Sequence, residues 1–416
     1  MRILMVSALD FKEKSIQVIK KTPLAYAERG HQVYYLTYQR EPGEADYFYE
    51  QEVQFLHDNV EIVRFRLPAR RLENLPGRLL RVGGRKLRLS AIFAFVARRL
   101  GAQLVQEKGI DLLYGYEISG VLAVGGLKRR FGLPQVSRYQ GTRLAPLLDS
   151  KLELLKKYEH VIALRRPGDL TIMTDDGRLG DEVLRRLNSP IKKLLFLRNG
   201  VNKQMHIPDF DKAGFKAELG LPAEHKLLLA ISRLASWKRV DRIINAMSPI
   251  LAARPETTLL VVGDGEQRTA LEAQATQLGV ADHVRFIGAI PHREVQRYYA
   301  GADVFVSVYD LSNVGNPLLE ALSAGKAIVT LNTGGTGRVI EDGYNGILLE
   351  PDGLDRLPTK VIELLTDTAH RVQFEQNALA YTQAHLWDWD ERMAVEVDEV
   401  ERLVQDWQAG RRGAKA

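Results

Sequence analysis

The sequence predicts an α/β protein built from two doubly wound domains, each on a parallel sheet. Three observations carry that prediction. Short apolar, β-branched or aromatic runs alternate with helical patterns along nearly the whole chain, the signature of parallel α/β architecture. The runs fall into two series, seven and then six, separated by a mixed polar stretch. The chain's 416 residues also exceed what one ordinary core covers, so two domains of about 200 residues are expected.

In order, the first series reads "RILMVSAL", "QVYYLTY", "EIVRFRL", "DLLYGYE", "PQVSRYQ", "LTIMTDD" and "KLLFLRNG". The second reads "KLLLAISRL", "TTLLVVGDG", "HVRFIGAI", "DVFVSVYD", "KAIVTLN" and "NGILLEP". Either is enough for a sheet of Rossmann type, whose ligands sit at the carboxyl ends of the strands. The stretch 201–225 is polar and contains proline, which suits a connection. Domains are therefore expected at 1–205 and 206–385. In the tail, 386–416, Met393, Val397, Val400, Leu403, Val404 and Trp407 recur at helical spacing. Such a helix needs a surface to cover its apolar side and is expected to pack back towards the N-terminal domain.

Composition narrows the class. Hydrophobic residues make up 45% and charged residues 26% of the chain, the profile of a globular protein. With no cysteine, neither disulfides nor thiolate metal sites are available. No run approaches the roughly 18 apolar residues of a membrane span. The opening "MRILMVSAL" lacks a cleavage pattern and reads as a first buried strand, so a cytoplasmic address is expected. Charge is lopsided. Residues 64–99 hold eleven Arg and Lys against one acid, Glu73, so this stretch carries +10 where the whole chain carries +6. It is either a solvated helix face or a surface for phosphate-bearing partners such as anionic lipid. Nucleic acid is not expected, because no recognition fold or aromatic–basic interleaving accompanies the block.

Two stretches of the second domain carry chemistry. In "AISRLASWKRVDRIINAM", Arg233 and Lys238 sit in the turn between a buried strand and an amphipathic helix. A guanidinium fork and a movable ammonium beside a helix N-terminus suit a diphosphate, although two surface cations would look the same. In "DLSNVGNPLLEALSAG", a polar turn leads through Pro317 into an apolar helix. Such a turn offers backbone N–H groups to an anion or a hydroxyl. "LNTGGTGRVIEDG" and "VGDGEQRTALE" also follow strands. Gly334, Gly335 and Gly337 would allow close approach of a ligand, or simply make a turn.

Taken together, "SRLASWKRVDRII", "LLVVGDGEQRTALE", "RFIGAIPHREVQRYYAGADVFV", "GNPLLEALSAGKAIVT" and "VIEDGYNGILLEP" resemble the second domain of family 4 glycosyltransferases, retaining enzymes of the GT-B fold. "YAERGHQVYYLT", "FLRNGVN" and "WDWDERM" are similar to landmarks elsewhere in that family. The resemblance implies an acceptor-side N-terminal domain, a C-terminal domain that binds a nucleotide sugar, and a cleft between them. It implies that Arg233 and Lys238 hold the diphosphate and stabilise the charge that develops as it leaves. Glu320 would hold the ribose hydroxyls. Backbone groups of Asn313, Val314, Gly315, Asn316 and Leu318 would face sugar and phosphates, and the strand end at Gly288 would border the base. No metal or cofactor is implied, so Asp175 and Asp176 read as a turn or cap.

Departures from the family pattern are equally informative. Ser312 stands where a glutamate usually contacts the donor sugar, and Asp310 is the nearby carboxylate that could replace it. Gln140 stands where a histidine is usual, able to hydrogen-bond a hydroxyl but unable to become a cation. The expected activity is transfer of a sugar from a nucleotide-diphosphate sugar to an acceptor hydroxyl, the acceptor being lipid-linked or phosphate-bearing, with peripheral contact to an anionic membrane through 64–99. The alternatives are a nucleotide-sugar 2-epimerase of the same fold and a catalytically silent binding protein.

Overall fold

The computed structural model describes residues 1–9, 17–38, 57–66, 84–311 and 313–413, with only the backbone described for 17, 18 and 84–91. Ser312 and residues 67–83 of the basic stretch 64–99 lie outside the described residues. The chain forms two compact units. One comprises Met1–Asp175, Leu179–Arg198 and Asp390–Ala416; the other comprises Asp176–Arg178 and Asn199–Trp389.

The first unit holds a seven-stranded parallel sheet: β1 (Arg2–Ser7), β2 (Gln32–Tyr38), β3 (Val60–Phe65), β4 (Leu112–Tyr116), β5 (Gln135–Tyr139), β6 (Leu170–Thr174) and β7 (Leu194–Leu197). Their order is β3-β2-β1-β4-β5-β6-β7. The central strands β4, β5 and β6 are buried at every position, as expected when helices cover both faces. The edge strands β3 and β7 are only partly covered. The second unit holds β8 (Lys226–Ile231), β9 (Thr257–Val262), β10 (Val284–Gly288), β11 (Val304–Ser307), β12 (Ala327–Leu331) and β13 (Ile347–Leu349). Their order, β10-β9-β8-β11-β12-β13, is that of a Rossmann sheet. In both sheets the direction of winding reverses beside the first strand, between β1 and β4 and between β8 and β11. Ligands of doubly wound sheets gather at the carboxyl ends of such pairs.

The chain passes into the second unit after Arg198 and leaves it after Trp389, not at 205 and 385. The reason is local pairing. Val201 forms a parallel bridge with Asp388 and donates its N–H to Trp387 O at 3.0 Å. Val201 and Met205 are also buried in the second unit's core.

The tail helix Trp389–Gly413 packs within the first unit and buries Met393, Val397, Val400 and Val404. It also carries charge inward. Arg392 and Glu396 on this helix and Arg138 on β5 all have no exposed surface. Arg392 Nη1 donates to Glu396 Oε2 at 2.6 Å, and Arg138 Nε lies 3.6 Å from the same oxygen. Tyr114 of β4 donates its hydroxyl to Glu396 Oε1 at 2.5 Å. Burial alone would raise the Glu396 pKa, but Arg392 and Arg138 outweigh it and hold the carboxyl below its ordinary value. Around this cluster Arg29 reaches Asp398 at 2.6 Å and His31 Nε2 lies 2.7 Å from Glu401.

Removing one partner from such a cluster strands the others in a medium that cannot solvate them. Glu396→Gln is expected to destabilise the protein by about 3–5 kcal/mol. Asp398→Asn, at a half-exposed pair, should cost less than about 1 kcal/mol. Urea denaturation of the two variants checks this; equal shifts would mean that the buried charge carries no special weight.

Candidate functional site

The second unit assembles its site on the loops that follow β8, β9 and β11, all at the carboxyl edge of one parallel sheet. Backbone contacts knit these loops together. Leu234 N–H donates to Asp264 O at 2.9 Å, Gln267 N–H to Leu234 O at 3.0 Å, and Asp310 N–H to Trp237 O at 3.0 Å. The approach is close enough to need glycine. Gly263 has φ +127°, and a Cβ there would lie 1.9 Å from Ser232 O. The glycines of "VGDG" therefore serve contact between loops.

Arg233 and Lys238 stand on the loop after β8. The Arg233 guanidinium lies 4.8 Å from the centre of the Trp237 ring, and the Lys238 ammonium 4.0 Å from that of Tyr309. Tyr309 is anchored by donating its hydroxyl to Ile231 O at 2.8 Å. Burial of the ammonium, with Arg178 and then Arg233 as like charges, brings the Lys238 pKa down to about 8; Asp176 offsets only part of this. Arg178 and Asp176 belong to the turn Asp176–Arg178 of this unit, in which Arg178 Nε donates to Asp176 Oδ2 at 2.5 Å. Asp176 thus ties off its own turn. Nothing in the linear spacing marks Arg178 as a neighbour of Lys238, since 60 residues separate them.

The same turn explains the glycine pair after β12. Gly335 N–H donates to Gly177 O at 2.8 Å, and a Cβ on Gly334 would lie 2.0 Å from that oxygen. The space expected for a ligand at Gly334 is occupied by backbone.

The loop 310–317 is braced from inside. Asn313, 1% exposed, donates its amide to Tyr309 O at 2.9 Å and also to Thr333 Oγ1, while accepting from Tyr309 N–H at 3.1 Å. Val314 is buried beside Gly177. Gly315 precedes the helix Asn316–Ser323, and Asn316 Oδ1 accepts from Asn199 at 2.8 Å. Leu318 sits in the core, and its N–H is taken by Gly315 O at 3.1 Å, so it has no group to give a sugar. The side chains of Asn313 and Val314 are likewise turned to structural work. What this loop offers is the backbone ahead of Pro317, since Pro317 has no N–H and those of Leu318 and Leu319 are taken by Gly315 O.

Asp310 is clamped. Its carboxylate takes Arg242 Nη2 at 2.7 Å and Arg239 Nη1 at 3.2 Å. Glu320, 7% exposed on the helix Asn316–Ser323, has Oε1 2.9 Å from His292 Nε2, and Tyr299 stands 3.5 Å from Oε2. Tyr299 in turn donates to Pro317 O at 2.8 Å. His292 was not singled out in the sequence; a histidine opening the helix His292–Gly301 after β10 gives no periodic signal. Gly288, at the end of β10 with φ +82°, accepts Gly263 N–H at 2.8 Å.

Gln140 lies in the first unit, just past β5. It donates its amide to Tyr116 Oη and its backbone N–H to Glu117 Oε1 at 2.6 Å. Glu117 opens the helix after β4, beside the point where this sheet reverses its winding, and holds φ +58°. An L residue adopts that conformation at a cost, and such residues cluster at functional sites. Sequence reasoning missed Glu117 because the strain is invisible before folding.

Comparison with known proteins follows the same division. Residues 211–380 match the family described as "Glycosyl transferases group 1". A GDP-mannose-dependent α-(1-6)-phosphatidylinositol monomannoside mannosyltransferase of Mycolicibacterium smegmatis is 31% identical over 214 residues, 49% of this chain and 56% of that protein. The chain spans about half the length of such curated relatives. Among solved structures, sucrose-phosphate synthase of Thermosynechococcus elongatus superposes with TM-score 0.76 at 21% identity, covering 98% of this chain and 99% of that one. HepE of Anabaena in complex with UDP-glucose gives TM-score 0.69 at 19% identity, covering 96% and 100%. These likenesses establish the fold as GT-B, with two Rossmann-like domains. Residues 211–380 are thus similar to the glycosyl transferases group 1 family.

Proposed function

We propose that this protein is a retaining glycosyltransferase of family 4 that moves a sugar from a nucleotide-diphosphate sugar to an acceptor hydroxyl. The observation that carries the reading is the gathering of Arg233, Lys238 and Arg178 at the carboxyl edge of β8, where Asp176 offsets only part of the like charge. A diphosphate supplies that charge and gains more of it as the glycosidic bond breaks. The bond from anomeric carbon to diphosphate oxygen opens with its electron pair going to the phosphate. The acceptor oxygen bonds the carbon on the same face, and its proton passes to the departing phosphate oxygen. No side-chain base is needed, which suits Gln140. The cations stabilise charge that is larger in the transition state than in the bound donor, so they act on rate as well as binding. Glu320, oriented by His292, holds the ribose; Gly288 borders the base. One relative is named GDP-mannose-dependent and one structural neighbour is in complex with UDP-glucose; in this reading the loop 310–317 reads the sugar. No metal or cofactor takes part in this scheme.

The acceptor in this reading is lipid-linked or phosphate-bearing. Two things support it: the eleven cations of 64–99, and a relative named for a phosphatidylinositol mannoside. No helix among the described residues is long and apolar enough to cross a membrane, so contact would be peripheral.

Arg233→Ala and Lys238→Ala are each expected to lower turnover on the order of 100-fold with the fold intact. A thermal-shift panel of nucleotide sugars identifies the donor, and turnover of that donor in the variants then tests the assignment. Donor consumption without any acceptor would instead indicate the epimerase, and a panel with no response the silent protein.

Lys238 also sets a pH dependence. Its ammonium loses its proton as pH rises through about 8, so affinity for UDP or GDP should fall across that range. Binding above pH 8 should take up a proton, because the diphosphate restores the charge. Lys238→Arg, charged throughout, should flatten the profile. Calorimetry in buffers of different ionisation enthalpy measures the uptake; a flat parent profile would remove Lys238 from the site.

The clamp on Asp310 favours Ser312 as the group that meets the sugar. Ser312→Ala should then reduce donor affinity, and Ser312→Glu should shift preference between hexose donors. Asp310→Asn should act through the loop, lowering thermal stability along with activity. Unchanged donor preference in all three would place sugar recognition elsewhere.

A further inference from the structure

Beyond the donor site, the first unit carries a surface that its fold does not explain. Two short helices, Lys151–Lys156 and Tyr158–Leu164, follow β5. Leu154 and Val161 pack onto the core between them and the sheet. Leu152 and Leu155, one helical turn apart, instead face solvent with 64% and 67% of their surface exposed, and Ile162 adds 37%. These are three of the eight large exposed hydrophobic residues among the described ones, and they fall within eleven positions. Scattered exposed leucines need no explanation; a cluster does. Around them stand Lys151, Lys156, Lys157, Arg165 and Arg166, all exposed, against Glu153 and Glu159. The stretch 151–166 therefore carries five cations and two acids, a net +3.

We propose that this helix pair is a docking surface for an anionic lipid bilayer. Lysines that flank exposed leucines can rest their stems on the apolar surface and hold their ammonium groups at the level of the lipid phosphates. Protein interfaces of ordinary stability are depleted in lysine and bury on the order of 1,000 Å² or more, which three side chains on two short helices do not supply. A bilayer needs no such area. It takes the leucine tips below the headgroups and the cations among them, and the two weak signals together give reversible attachment. The surface is distinct in sequence from the basic stretch 64–99. It deepens the proposal of a membrane-side acceptor and rests on it for its purpose, but not for its test.

The test is sedimentation of the full chain with vesicles of phosphatidylcholine alone or mixed with phosphatidylglycerol. The parent is expected to bind the mixed vesicles and to leave them at high salt. Lys151→Gln with Lys156→Gln and Lys157→Gln should weaken binding about 100-fold at low salt, near fivefold for each cation. Leu152→Ser with Leu155→Ser should weaken it about tenfold or more at any salt. Because all five side chains are exposed, folding and thermal response to the nucleotide-sugar donor should match the parent. Substituting Arg70, Arg71, Arg78 and Arg81 by Gln serves as comparator. If the parent binds and only that comparator releases it, the bilayer contact lies in 64–99 and the helix pair is excluded. If the parent ignores both vesicles, the docking surface is overturned while the donor reading stands on its own assay. If vesicle binding is unaffected but the leucine variant abolishes self-association seen in the parent, the surface is a protein interface and the proposal fails.

Discussion

Crowding of like charge beside β8 is the constraint on which the chemistry proposed for the second unit depends. The Lys238 ammonium lies 4.0 Å from the centre of the Tyr309 ring, and Arg178 and Arg233 add to burial in depressing its pKa. In an isolated loop these cations would simply move apart. Here the loop that carries Arg233 and Lys238 is stitched to its neighbours by main-chain hydrogen bonds and by a glycine with no room for a side chain, and the turn that carries Arg178 is tied through Gly177 O to Gly335. Asp176, paired with Arg178, offsets only part of this like charge. A site whose dipoles and charges are already in place needs little reorganisation when charge develops, and that is where electrostatic catalysis gains most.

The first unit solves a different problem. Its β5 places a fully buried arginine, Arg138, two residues before Gln140. The tail helix supplies the carboxylate that makes this burial tolerable. Arg138 also lies 6.0 Å from the centre of the Tyr116 ring, whose hydroxyl receives the Gln140 amide. A residue near the end of the chain is thereby joined, through one buried charge, to the loop expected at the chemistry. Glu117 completes that loop with its backbone held in a strained conformation, which the surrounding packing of the β4–helix junction must sustain.

Division of labour within the loop 310–317 follows from burial. Two polar side chains are committed to the loop's own structure: buried Asn313 closes it on Tyr309 and Thr333, and Asp310, though exposed, ties it to Arg239 and Arg242. Such satisfied groups make the loop rigid. Rigidity lets its backbone present hydrogen-bond donors at fixed positions, and Glu320, one turn into the helix, is fixed in the same way by His292.

The sequence by itself determined the architecture. Thirteen apolar runs set the strands, because a strand covered on both faces must be apolar throughout and that demand is local enough to read. It also placed Arg233 and Lys238 in the turn after β8, while the role expected of Glu320, on the helix Asn316–Ser323, came only from the family resemblance. Only the tertiary structure decided the rest. Arg178 joins Lys238 across 60 positions, and Arg138 meets Glu396 across more than 250. The carbonyl of Gly177 fills the space beside Gly334, and Asp310 points to arginines rather than lying free. Each of these depends on which surfaces the sheets bring together, and no local pattern of spacing or polarity encodes a contact between segments so far apart along the chain.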